Sequence, residues 1–294
     1  MENSRAARRN VIASMFIYGT IGVFVRYIPL PSSMTAMMRG LIGAPFLLLV
    51  LLSRRSRMDW GGIRRNLGLL CLSGAMLGIN WILLFEAYRY TTVATATLCY
   101  YFAPIFLVAA SPFVFGEKMT ARKLLCVLAA LLGMVFVSGV AQGGLPALSE
   151  LRGVLLALGA AVFYACIVIA NKKLRGISAY DRVIMQLFIS VLVLLPYNVL
   201  TGAFAALRFS PFILLMLLIV GAVHTGLAYL LYFGSMDALS SQTLAILSYI
   251  DPVVAVLLSA LLLKEPLGAA GILGAALILG GAFISELPER KKKT

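Results

Sequence analysis

Ten apolar stretches recur along the chain, each long enough to cross about 30 Å of hydrocarbon at about 1.5 Å of rise per residue. They run Asn10–Ile28, Ser33–Leu52, Leu67–Phe85, Val93–Val114, Ala121–Val140, Gly153–Ala170, Arg182–Val199, Phe212–Phe233, Ser240–Leu263 and Leu267–Ile284, and each predicts a membrane helix. The first follows Arg5, Arg8 and Arg9, as the core of a cleaved leader would. Its apolar run nevertheless contains Tyr18 and ends at Arg26-Tyr27 without a small-x-small cleavage pattern, so it predicts a retained helix.

The pattern repeats on a larger scale. From Gly78 to Gly133 the chain is echoed 148 residues later, without a gap, from Gly226 to Gly281. Tyr101 meets Tyr249, Pro104 meets Pro252, Glu117 meets Glu265 and Gly133 meets Gly281. Leu83, Phe85, Thr95, Val108, Ser111 and Ala121 also recur at that spacing. Apolar segments match one another by chance, so the weight lies with the punctuating Pro, Glu and Gly residues that coincide in order. Two units follow, residues 1–142 and 143–294, with Gln142–Glu150 as the hinge. Five helices in each is an odd number, so the second unit enters the membrane upside down. The expected fold is an all-α integral membrane protein of ten transmembrane helices arranged as two inverted five-helix repeats. Inverted repeats are a recurrent transporter device, since exchanging the conformations of the halves opens a site to alternate sides. Channels are also built this way.

Composition excludes a soluble domain. Hydrophobic residues make up 62% and charged residues 12%, where soluble domains run nearer to about half and a quarter. The net charge of +14 gains its meaning from its location. Nineteen of the 25 Lys and Arg residues fall in the N-terminal segment, in Ser53–Asn66, Gly116–Lys123 and Asn171–Arg182, and in the C-terminal tail. With ten spans these segments share one side, so both termini face the cytoplasm by the positive-inside rule. The basic charge is topology and not a nucleic-acid footprint.

A Pro in the fourth span, then Phe115–Thr120 (FGEKMT) before a Gly-bearing fifth span, returns as Pro252 and Leu263–Gly268 (LKEPLG) before the tenth. This resembles the paired EamA domains of the drug/metabolite transporter superfamily. Phe16–Gly19 against Val162–Ala165 agrees more loosely, and Arg39 stands where members of that family often carry an Arg. Within the family, the aromatic-rich third and fourth spans resemble those of YddG-type aromatic amino-acid exporters of bacterial inner membranes. The resemblance implies a ten-helix basket around a central cavity. Small multidrug exporters, to which the family is similar, carry a membrane-embedded Glu in their first helix; Asn10–Ile28 contains no carboxylate.

The residues themselves point to a site. Pro104 and Pro252 each remove an amide from a helix interior and clash with the carbonyl four residues earlier, those of Tyr100 and Ser248. Such breaks persist at membrane depth beside protein, water or a ligand. A packing kink is the plain alternative, but equivalent breaks in inverted copies favour a cavity bordered by Tyr100 and Ser248. Tyr18, Trp81, Tyr100, Tyr101, Tyr164, Tyr229 and Tyr249 lie mid-span, away from the interfacial belt that accounts for Tyr27 and Trp60. They offer flat apolar area with hydroxyl or indole donors, suited to an amphipathic metabolite. Neutral Asn80 and Asn171 are candidates for holding a zwitterion's amino and carboxyl groups. Arg39, His224 and Asp251 are the mid-span ionisable groups, each costing about 2.5–3.5 kcal/mol on insertion scales. Arg39 and His224 divide evenly between structural and functional readings. His224 and Asp251 are the possible coupling residues, although Asp251 precedes Pro252 and has a competing reading as a ligand of backbone groups freed by the break.

Other chemistry is absent from the sequence. Cys71, Cys99, Cys126 and Cys166 lie singly in different spans, which predicts free thiols without a disulfide or zinc site, and one His precludes a His-rich metal site. There is no nucleophile elbow or P-loop. The sequence therefore predicts no enzyme, no catalytic residue, no metal and no cofactor. It predicts a secondary transporter of the inner membrane, with the lipid bilayer and a small-molecule substrate as its partners. The substrate expected is an amino acid with an aromatic or apolar side chain. A broad drug or metabolite exporter, a passive channel of the same fold and a non-transporting receptor or assembly factor are the alternatives.

Overall fold

The computed structural model describes residues 2–115, 120–137, 147–207, 210–233, 235, 238, 247, 250–265 and 268–286. Helices account for nearly all of them, with no strand among the described residues. In chain order they are α1 (Glu2–Arg26), α2 (Ser32–Ser53), α3 (Trp60–Arg65), α4 (Leu67–Tyr90), α5 (Val93–Tyr100), α6 (Ala103–Phe115), α7 (Ala121–Val137), α8 (Leu148–Lys173), α9 (Ala179–Leu200), α10 (Pro211–Leu218), α11 (Ala228–Phe233), α12 (Ile250–Leu262) and α13 (Ala269–Glu286). Between α10 and α11 a π-helix, Ile219–Leu227, continues the same rod. Five helical stretches are long and apolar enough to cross a membrane, Ser32–Ser53, Leu67–Tyr90, Glu150–Asn171, Ala179–Leu200 and Pro211–Tyr232, and shorter apolar helices lie within Leu124–Gly133, Ile250–Leu262 and Ala269–Gly281. The chain is a multi-pass membrane protein.

Local chemistry explains the ends. Thr92 caps α5 by accepting from Thr95 N at 3.0 Å, Ser178 caps α9 through Asp181 N at 3.1 Å, and Ser210 caps α10 through Ile213 N at 3.2 Å, with Pro211 at the first helical position. Each cap satisfies an amide that the helix leaves unpaired. The short α3 starts at Asp59, which accepts from Gly62 N at 3.0 Å; no apolar period marked it inside the polar Ser53–Asn66 connection.

The predicted fourth span is two helices. α5 ends at Tyr100 and α6 begins at Ala103, leaving Tyr101 and Phe102 between them. Pro104 then sits in the first turn of α6, where its missing amide is tolerated, and the helix is broken where that amide would have been needed. Pro252 occupies the matching place in the first turn of α12 and is buried. Ser248 and Tyr249, and most of the stretch that precedes α12, lie outside the described residues.

The helices pack in recurring pairs. α7 pairs with α13, α2 with α9, α4 with α8 and α1 with α11, α8 with α5 and α6, α1 with α12, α4 with α9, and α2 with the π-helix. A Cβ on Gly78 of α4 would stand 3.2 Å from Leu194, and one on Gly226 would stand 2.2 Å from Phe46. Shifting the first pair by 148 residues yields the second. At one end of the bundle Asn66 Nδ2 donates to the carbonyls of Gly62 and Arg175 at 2.8 and 2.9 Å, and Asp59 N donates to Asp181 Oδ2 at 3.4 Å. These bonds clasp two of the Arg- and Lys-rich connections together. Elsewhere Arg26 Nη2 meets Glu265 Oε1 at 2.9 Å, while Glu265 Oε2 accepts from Val93 N at 3.1 Å and Ser259 Oγ at 2.9 Å. One carboxylate thereby joins α1, the first turn of α5 and the α12–α13 connection.

Candidate substrate site

The broken helix and its neighbours gather the mid-span aromatics. Tyr101, at the break between α5 and α6, donates its hydroxyl to Asp251 Oδ2 of α12 at 2.6 Å. Its ring stands edge-on to Tyr100 at 6.4 Å between centroids, and Tyr100 lies 5.5 Å from Tyr164 of α8. Tyr18 of α1 meets Tyr229 of α11 edge-to-face at 5.8 Å. The two groups form one cluster: Tyr164 is within electrostatic reach of Tyr229, Tyr232 and Asp251. Edge contacts of this kind orient the rings.

Tyr164 keeps part of its surface uncovered. Its ring faces Tyr100 and lies near groups of α11 and α12, yet it is 41% exposed. Tyr18, Tyr100, Tyr101, Tyr229 and Asp251 are also half-buried.

On one side of these rings lies Arg39 of α2, only 5% exposed. Its guanidinium carbon sits 4.3 Å above the centroid of Trp81 and 5.5 Å from that of Phe85, both on α4. Nε donates to Thr225 Oγ1 of the π-helix at 2.8 Å. No carboxylate pairs with it among the described residues. A desolvated cation–π stack contributes about 2 kcal/mol against about 2.5–3.5 kcal/mol for a mid-membrane charge, so with the Thr225 bond the charge is tolerated and its two Nη groups stay available. Asp251 is matched in kind: one hydroxyl bond to a charged acceptor contributes about 1.5–3 kcal/mol, and among the described residues no cation pairs with it. Arg39 and Asp251 both stand near Tyr100 and Tyr88.

The π-helix earns its place beside the site. Thr225 Oγ1 donates to Val220 O at 3.0 Å, and His224, 1% exposed, has Nδ1 3.3 Å from Ile219 O, both reaching back five residues. His224 Nε2 meets Thr20 Oγ1 of α1 at 2.8 Å, and Phe24 lies 5.0 Å from its ring. The histidine is a strut between helices, with both nitrogens engaged. Asn80 of α4 is fully buried and donates to Ala160 O of α8 at 2.6 Å, while its Oδ1 has no hydrogen-bond partner among the described residues.

Other expected residues are placed elsewhere. Asn171 Oδ1 accepts from Gln186 Nε2 at 2.6 Å, and Gln186 also donates to Ser73 at 2.7 Å, a network joining α8, α9 and α4 apart from the tyrosines. Ser248 and Tyr249 lie outside the described residues, and of Pro104 only the backbone is described. Thr225 joins the site without having been singled out, while Arg39 was left evenly between a structural and a functional reading, and Tyr88 and Tyr232 belong to the aromatics of the third and eighth spans.

The sequence profile of the EamA-like transporter family matches this chain twice, over residues 10–139 and 151–287. An uncharacterized transporter, YxxF, of Bacillus subtilis (strain 168) is 30% identical over 250 residues, 84% of this chain and 79% of that one. A probable amino-acid metabolite efflux pump of Salmonella typhimurium is 30% identical over 199 residues, 64% of this chain and 66% of its own. A solved crystal structure, 19% identical, matches with a TM-score of 0.67 over 95% of this chain and 96% of that chain, which establishes a shared fold.

Proposed function

Because the chain belongs to the EamA-like transporter family, we propose that it is a secondary transporter exporting amino acids with aromatic or apolar side chains, or similar small amphipathic metabolites, across the bacterial inner membrane. The observation that carries this reading is Tyr164, ringed by aromatic groups of other helices and still 41% exposed. A hollow walled by rings and hydroxyls accepts a small apolar side chain and bonds its polar end. The name of the Salmonella relative, an amino-acid metabolite efflux pump, supports the same substrate class.

Alternating access by two inverted repeats, residues 1–142 and 143–294, is the mechanism we assign. Its support is geometric. α7 and α13 occupy the same place in the two units and run antiparallel: Gly133 faces Gly274 and Ile278, whereas Gly281 faces Cys126 and Ala130. Equivalent helices lie antiparallel when the axis relating the units is perpendicular to them, and lie parallel when it runs along them. α2 and α9 repeat the lesson, with Ser33 at Asn198 and Gly40 at Leu187 and Val191. We assign the end that holds the clasped Arg-rich connections near Asn66 and Arg175 to the cytoplasm by the positive-inside rule, and with it both termini.

Counterflow tests the proposal. Purified protein in liposomes preloaded with unlabelled phenylalanine is expected to take up labelled phenylalanine transiently above equilibrium, and glucose is not expected to substitute. Flux without counterflow identifies a passive channel, and counterflow with many unrelated organic cations identifies a broad drug exporter.

A further inference from the structure

Arg39, buried, and Asp251, half-buried, are opposite charges that the fold holds apart. Among the described residues each side chain is hydrogen-bonded through one atom: Arg39 through Nε to Thr225 at 2.8 Å, Asp251 through Oδ2 to Tyr101 at 2.6 Å. Trp81 covers one face of the guanidinium at 4.3 Å, which fixes its plane and leaves the edge bearing the two Nη groups. Both stand near Tyr100 and Tyr88, and Tyr101, bonded to Asp251, lies 6.4 Å from Tyr100 between ring centroids. Tyr100 touches the exposed Tyr164. The two charges therefore approach the same tyrosines from different helices, α2 and α12.

We infer that Arg39 and Asp251 are a pair of substrate anchors, the Arg39 fork holding a carboxylate and Asp251 holding an ammonium, so that the site selects zwitterions over molecules carrying either charge alone. This rests on the exporter reading and sharpens it. Two Nη donors match the two oxygens of a carboxylate in an end-on fork. A carboxylate held on one side by Tyr101 keeps acceptor capacity for an ammonium, which has three donors to place. An amino acid brings both complements at once, with its side chain lying among Tyr18, Tyr100, Tyr164 and Tyr229. A ligand with only one of the charges leaves the other anchor unmatched in a low-dielectric site, and this disfavours it. Asn171, expected to hold one end, is engaged by Gln186, whereas Asn80 is tied to Ala160 O through Nδ2 and keeps its Oδ1 beside Tyr100.

Three ligands test the assignment on detergent-purified protein by ligand-induced melting shifts: phenylalanine, 3-phenylpropionate, which lacks the ammonium, and phenethylamine, which lacks the carboxylate. Arg39→Gln is expected to raise the half-saturating concentration of phenylalanine and phenylpropionate by roughly tenfold or more and to leave phenethylamine unchanged. Asp251→Asn is expected to do the reverse, weakening phenylalanine and phenethylamine and sparing phenylpropionate. The ligand that each variant still binds shows that the variant is folded. Equal weakening of all three ligands in both variants, no effect on phenylalanine in either, or no shift with any ligand in the wild type overturns the anchors. Crossed selectivity in binding without counterflow in liposomes upholds the anchors and overturns the exporter reading instead.

Discussion

A Cβ built on Gly281 would stand 2.9 Å from the backbone carbonyl oxygen of Cys126. Its counterpart in the first unit, Gly133, would bring a Cβ to 2.7 Å from the carbonyl oxygen of Gly274, and 126 and 274 are again 148 residues apart. Backbone meets backbone at these points, so no side chain can rotate to make room. Gly280, one residue away on the same helix, has open space at its Cβ position. Gly280→Ala is expected to raise the melting temperature slightly, since Ala is better in a helix by about 1 kcal/mol. Gly281→Ala and Gly133→Ala are expected to lower it, the overpacking outweighing that gain at about 1–3 kcal/mol. Melting of the detergent-purified variants checks the contrast, and equal behaviour of positions 280 and 281 would refute the close α7–α13 contact.

Glu265 joins three elements through one carboxylate, and its partners differ in how much they need it. Arg26 is partly exposed, at 38% for its side chain, so Arg26→Ala is expected to cost less than about 1 kcal/mol. Glu265→Ala also strips the acceptor from Val93 N and Ser259 Oγ, and leaving such groups unpaired costs about 1–3 kcal/mol. The expected order in melting temperature is wild type, Arg26→Ala, then Glu265→Ala, with the double variant near Glu265→Ala. Additive losses would mean that the two side chains act independently. Glu117, the repeat partner of Glu265, lies outside the described residues.

How much of this was legible in the sequence depends on whether a residue's partner is local. The break at Tyr101–Phe102 follows from Pro104, a covalent constraint acting on its own helix, and could be read directly. Long spans such as α2 and α9 were equally plain from hydropathy. The mid-span position of Tyr18, Trp81, Tyr100, Tyr164 and Tyr229 was readable too, and the fold brings them to one cluster with Arg39 beside it. Arg39 resisted because its neighbours, Trp81 on α4 and Thr225 on the π-helix, are distant in the chain. The partners of Asn171 were hidden for the same reason, since Gln186, which bonds it, comes from another helix. The π-helix leaves no hydropathy signature at all: closing on the fifth residue instead of the fourth changes no residue's polarity. α3 is too short to show a period.

Topology supplies a third prediction. In a variant lacking Cys71, Cys99, Cys126 and Cys166, a single cysteine is placed at Arg57 or at Thr201, both exposed. The first lies in an Arg-rich connection assigned to the cytoplasm, the second just beyond α9 at the opposite end. An impermeant thiol reagent added to intact cells is expected to label Thr201→Cys and not Arg57→Cys, with the pattern reversed in inverted vesicles. Labelling of both from one side would rule out the inverted arrangement.

A fourth prediction separates site from scaffold. Trp81 supports the Arg39 plane and Tyr100 lines the hollow, so Trp81→Ala and Tyr100→Ala are expected to lower counterflow by about tenfold or more while membrane levels stay close to wild type. Asn171→Ala removes the acceptor of buried Gln186 and is expected to lower melting temperature, with flux per folded molecule maintained. A loss of flux in Trp81→Ala that merely tracks a loss of folded protein would place Trp81 with Asn171 in the scaffold.

Energy coupling turns on His224. In the tautomer with its proton on Nδ1, the ring donates to Ile219 O at 3.3 Å and accepts the hydroxyl of Thr20 at 2.8 Å, so the neutral imidazole is satisfied as a tie between α1 and the π-helix. The same Thr20 hydroxyl lies 2.7 Å from Ile17 O, its alternative acceptor. A proton carrier must reach water from each side in turn, whereas His224 is 1% exposed and faces Phe24 at 5.0 Å. Asp251, the other mid-span candidate, is engaged with Tyr101 and is assigned here to the substrate's ammonium. Transport is therefore expected to run down the substrate's own gradient. His224→Gln, which keeps an amide able to bond Thr20, is expected to hold counterflow within about threefold of wild type, and a pH gradient imposed across phenylalanine-free liposomes is expected to produce no concentrative uptake. Uptake driven by that gradient in the wild type and lost in His224→Gln would instead make the histidine a proton carrier, with Thr20 as the hydroxyl that relays to it.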